Sequence, residues 1–168
     1  MLKYMGPLCV VEDIAVSRHF YEVLLGQKVK YDFGVNITFE GDFSVHLKSH
    51  YQSLLDDATR HPVMKKVHNF ELTFETDEIE AIYHRAYEAG VEFLHDIREQ
   101  PWAQRVIRLY DPDGHIVEIG EQMETVVLRL NKQGLSIDRI REKTGMPREF
   151  IECVIQEHEP SVGCVSND

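Results

Sequence analysis

Residues 105–121 read RVIRLYDPDGHIVEIGE. Apolar and polar side chains alternate on both sides of Asp111-Pro112-Asp113-Gly114, so the segment reads as two strands joined by a tight turn. VEFLHDI (91–97) supplies a third strand before it. Further upstream, FELTFET (70–76) alternates as a strand and leads through Asp77 into a helix running to Ala89 and closed by Gly90. The order is strand, helix, three strands.

The first half repeats that order. YMGPLCVV (4–11) reads as a strand, with Gly6 and Pro7 near its start. Asp13 or Glu12 then caps a helix over 14–25 that carries Val16, Phe20, Val23 and Leu24 on one face and stops at Gly26. The strands QKVKYD (27–32), VNITFE (35–40) and FSVHLK (43–48) follow, the last two joined by Gly41-Asp42, a hairpin signal. Gly26 follows Asp13 by thirteen positions, and Gly90 follows Asp77 by thirteen. Such a repeat of units is expected when one half cannot bury its own sheet face. The polar stretch 49–66, with Pro62, reads as a connection holding one helical turn. The expectation is an α+β fold of paired βαβββ modules over 1–121, with two curled sheets, helices outside, and inward-facing strand positions lining a cleft.

Residues 122–160 change character. They read as three helices, with Gly134 breaking the first, Ser136 capping the second and Pro147 opening the third. EPSVGCVSND (159–168) reads as a frayed end. The run QGLSIDRIREKTGMPREFIECVI resembles a helix-turn-helix. Its third helix pits Arg148 against Glu149, Glu152, Glu157 and Glu159, and residues 123–168 hold six Lys and Arg against eight Asp and Glu. Reading DNA needs the opposite balance, so this tail is expected to pack or to mediate assembly rather than to bind nucleic acid.

The whole chain of 168 residues carries a net charge of −11, with 43% apolar and 28% charged residues. That composition suits a globular protein and argues against non-specific attraction to nucleic acid or anionic membranes. Apolar runs fall well short of the roughly 20 residues that span a bilayer. Acidic residues come too early in MLKYMGPLCVVED for a secretion signal, and three unrelated cysteines imply neither a disulfide framework nor a zinc site. A cytoplasmic location is expected.

Three segments together, VEDIAVSRHFYEVLLG, ELTFETDEIEAIYHRAYEAGVE and RLYDPDGHIVEIGE, resemble the vicinal-oxygen-chelate superfamily of glyoxalases, bleomycin-resistance proteins and dioxygenases. The resemblance covers about residues 1–121. It implies a divalent metal held on four strand positions and used to grip two neighbouring oxygens of a substrate. Residue by residue those positions are Gly6, His46, Glu71 and Glu118. One imidazole and two carboxylates are first-contact donors suited to zinc, nickel, cobalt, manganese or iron. Gly6 adds no donor, and with Glu71 it replaces both histidines of the ring-cleaving dioxygenases. Glu71, Thr73 and Glu75 also fit a solvated strand face. Trp102, Arg105 and Arg108 are candidate substrate contacts. The two arginines are three residues apart and so point to opposite faces of a regular strand, which leaves at most one for the cleft.

The resemblance thus implies one of two functions. One is a glyoxalase-like, metal-assisted lyase or isomerase, with Glu71 or Glu118 as base and an enediolate intermediate on a small oxygen-rich metabolite. The other is non-catalytic binding or sequestering of a small molecule, as in bleomycin resistance. A homodimer is expected in either case.

Overall fold

The computed structural model describes residues 1–56 and 61–158. The frayed end read at 159–168 and part of the 49–66 connection lie outside the described residues.

The first module runs β1 (Leu8–Val11), α1 (Ile14–His19) continued as a π-helical turn (Phe20–Leu24), β2 (Val29–Asp32), β3 (Asn36–Phe39) and β4 (Ser44–Leu47). Asp13 caps the helix through its carboxylate, which accepts from the N–H groups of Ala15 and Val16 at 2.7 and 3.1 Å. Gly26 leaves the helix at a φ of 67°. Gly41 and Asp42 both take positive φ, as the β3–β4 hairpin requires. β1 is shorter than expected. Pro7 has no N–H to pair, and Gly6 turns the chain at a φ of 95°.

After α2 (Lys48–Ser53), the second module runs β5 (Glu71–Thr76), α3 (Ile79–Glu88), β6 (Phe93–Glu99), β7 (Arg105–Tyr110) and β8 (Ile116–Glu121). Here Asp77 makes no cap. The residue before the helix is Glu78, whose N–H is taken instead by the Thr76 hydroxyl at 3.0 Å.

The two sheets have the same topology, β1-β4-β3-β2 and β5-β8-β7-β6, each with its first strand parallel to its last. Alternation sends Cys9, Val11, Ile37, Phe39 and Val45 of one sheet to the side covered by α1. It sends Leu72, Ile107, Leu109, Val117 and Ile119 of the other to the side of α3. These residues form one continuous core, bridged by Phe43 against Phe74 with ring centroids 5.6 Å apart. The two modules therefore meet through their helix-covered sides. The opposite faces, which carry the polar strand residues, lie on the outer sides of that core. The expected cleft of inward-facing strand positions therefore does not bring His46 of the first sheet to Glu71 and Glu118 of the second within one chain.

The tail folds into α4 (Met123–Lys132), α5 (Ile137–Thr144) and α6 (Arg148–His158) around a second core of Ala103, Val126, Val127, Leu130, Ile140, Ile151 and Val154. Ser136 caps α5, and Gly145 turns the chain at a φ of 72°. Glu121, with its side chain 1% exposed, ties this bundle to the sheet. It accepts from Arg105 of β7 at 2.6 Å and from Arg129 of α4 at 2.9 Å. Burial alone would raise the Glu121 pKa, but hydrogen bonds from both guanidinium groups outweigh it and hold the carboxyl below its usual range.

Candidate ligand-binding site

Strand register builds the site on the outer face of the second sheet. Arg108 pairs with His95 of β6 on one side and with Glu118 of β8 on the other, and Glu118 pairs with Thr73 of β5. A row of polar side chains therefore crosses the sheet, with Glu71 diagonal to it on β5. The Arg108 guanidinium bridges both carboxylates. Its Nε donates to Glu71 Oε2 at 2.9 Å and its Nη2 donates to Glu118. His95 Nε2 stands 3.4 Å from Arg108 Nη1. Glu118 is buried, Arg108 is half-buried, and Glu71 is the most open of the three.

The first sheet carries the same positions with different chemistry. His46 of β4 pairs with Asn36 of β3 and Val10 of β1, matching Glu118, Arg108 and Thr73. His46 Nδ1 lies 3.3 Å from Asn36 Nδ2, and its Nε2 lies 2.7 Å from His50 Nδ1. Burial and then the neighbouring His50 lower the His46 pKa, so the ring stays neutral at pH 7.

Of the sequence candidates, Glu71, Arg108 and Glu118 come together, whereas His46 sits in its own network on the other sheet. Arg105 turns to the helix-covered side, toward Glu121 and Glu80, so the alternation argument assigns the outer face to Arg108 alone. Trp102 donates its indole N–H to Gln104 at 2.8 Å, away from the row. His95 and His50 join these networks with no spacing signal in the sequence to mark them. A register shift beside His95 hides its alignment with Arg108.

The donor set does not suit a metal as the chain folds. Among the described residues no three His, Cys, Asp or Glu side chains are close enough to hold one. The two carboxylates already share a fixed cation, Arg108. Gly6 could not be exchanged for a ligand either, because a Cβ there would lie 1.4 Å from the Asp42 carbonyl oxygen. A cavity of about 330 Å³ runs beside the free edge of β5, with Glu71 and Thr73 on one wall and Tyr4, Phe43 and Phe70 among its apolar residues.

Paired βαβββ modules of this order define the glyoxalase-like class of folds. A glyoxalase-like domain model matches residues 4–124, and the chain belongs to that family. A protein of unknown function from Agrobacterium tumefaciens str. C58 is 33% identical over 73% of this chain and 95% of its own, with a TM-score of 0.64. A glyoxalase-related enzyme from Fulvimarina pelagi is 19% identical over 73% and 90%, at 0.60. A lactoylglutathione lyase from Agrobacterium tumefaciens is 20% identical over 71% and 92%, at 0.53. The latter two likenesses concern the fold. No curated protein matches the chain. Among the described residues, no helix is long and apolar enough to cross a membrane.

Proposed function

We propose that the protein binds a small organic ligand on the outer face of its second sheet without a divalent metal. One observation carries this reading: the Arg108 guanidinium occupies the place between Glu71 and Glu118 that a cation would need. A bound guanidinium satisfies both carboxylates by charge-assisted hydrogen bonds and repels a second cation. Donors of Arg108 and acceptors of Glu71 would orient the polar end of the ligand, with the cavity along β5 receiving its apolar part. A homodimer would close this face. β1 and β5 are both sheet edges, and Met5, Leu8 and Phe70 beside them are exposed. Ligand screening by thermal shift tests the reading. A stabilising ligand should act equally with and without chelator, and should lose its effect in Arg108→Gln. Stabilisation that requires added metal would contradict it.

The openness of Glu71 favours a second reading, a lyase or isomerase of the glyoxalase kind. Glu71 would take a proton from a carbon beside a carbonyl, while Arg108 stabilises the developing enediolate oxygen. Methylglyoxal with thiols should then give thioester absorbance, abolished in Glu71→Gln. Silence with every thiol and every added metal removes this reading.

A further inference from the structure

The apolar stripe of the first helix is only half used by the core. Phe20 and Leu24 are buried, whereas Val16 and Val23 are 50% and 62% exposed. Both valines line a cavity of about 580 Å³ on the helix-covered side, whose lining includes none of Glu71, Arg108 and Glu118. The end of the π-helical turn, the C-terminal end of α3 and the β7–β8 turn converge there. Phe20, Leu24 and Val91 complete its apolar wall.

The polar rim has an unexpected sign for a chain of net charge −11. His19, Lys65, Lys66 and Arg85 line it, against Glu92 and Asp111. Lys66 is bound to Glu92 at 2.7 Å, and Lys65 is bound to Asp113 at 2.9 Å. Arg85 gives one N–H to the Leu24 carbonyl at 3.0 Å. Among the described residues the structure gives neither Arg85 nor His19 a carboxylate partner. Arg85 keeps further N–H donors in a planar fork that matches a carboxylate.

We propose that this cavity is a second ligand site, taking a small amphipathic carboxylate. The tail covers Val16 and Val23, and the head meets Arg85. The volume falls within the range of about 300–1,000 Å³ common to small-ligand sites, and the apolar wall of Val16, Phe20, Val23, Leu24 and Val91 faces a charged rim that can fix a polar head. A protein partner would need about 800 Å² of surface per side, and two exposed valines offer far less.

Calorimetric titration of the full chain with octanoate tests the site. Octanoate binds saturably, and octan-1-ol, with the same tail and no charge, binds at least about tenfold more weakly. Arg85→Gln weakens octanoate about tenfold. Val23→Asp, at an exposed position that folding does not need, abolishes binding. Glu71→Gln, at the other site, binds octanoate as the parent does. Absence of octanoate binding, equal binding of octan-1-ol, or full binding by Val23→Asp overturns the proposal. So does loss of binding in Glu71→Gln, and so does a change of oligomeric state caused by Val23→Asp.

Discussion

The Tyr21 hydroxyl donates to Asp111 Oδ2 at 2.9 Å, joining the first module's helix to the second module's turn. The same carboxylate accepts from His115 Nδ1 at 2.9 Å and from the N–H groups of Asp113 and His115 at 2.9 and 2.8 Å. Asp111 therefore shapes the turn and fastens the modules together. Tyr21→Phe removes one of several hydrogen bonds and should cost about 1 kcal/mol. Asp111→Ala strands buried donors and should cost about 3 kcal/mol or more. Urea unfolding measures both, and equal losses would contradict the hierarchy.

The same network predicts a pH dependence. Burial pushes the His115 pKa down, but the hydrogen bond to Asp111 and the charges of Asp111 and Asp113 outweigh it, leaving the net shift upward. A raised native pKa gives stability that is complete below the unfolded value of about 6.5 and is lost as pH rises through the native pKa. Stability measured from mildly acidic to mildly alkaline pH should fall, and the slope should flatten in His115→Gln.

Glu121 behaves oppositely. Its lowered pKa stabilises the fold above the ordinary carboxylate value, and that contribution disappears as pH drops through the native pKa. Because it is fully buried between Arg105 and Arg129, Glu121→Ala should cost about 3–5 kcal/mol. Hydrogen exchange should show α4–α6 loosening first, and unchanged protection there would contradict a coupling role.

The hairpin around 111–114 was legible because alternation and turn chemistry agree. Its register was legible too: the turn places Tyr110 opposite Ile116, and so Arg108 opposite Glu118. The ion pair could have been found by that count. The parity of Arg105 and Arg108 also carried over from sequence to structure. Which sheet faces meet was not legible, since alternation defines two faces of a strand but only packing chooses between them. His46 therefore lies on the first sheet, apart from Glu71 and Glu118 on the second.

Gly6 stands where the resemblance expects a histidine, and local geometry explains the difference. Its φ of 95° and the Asp42 carbonyl beside it leave no room for a side chain. Gly6→His should destabilise the fold by about 2 kcal/mol or more rather than create a metal ligand. A stable Gly6→His variant with new metal affinity would contradict this.

The account rests on Arg108 standing in for a metal, and metal content tests this most directly. Protein dialysed against zinc, nickel, cobalt, manganese or iron and then freed of excess should retain no stoichiometric ion, while Arg108→Gln, with two carboxylates exposed to each other, should gain affinity for one. Retention of a stoichiometric ion by the parent chain, lost in Glu118→Ala, would contradict it.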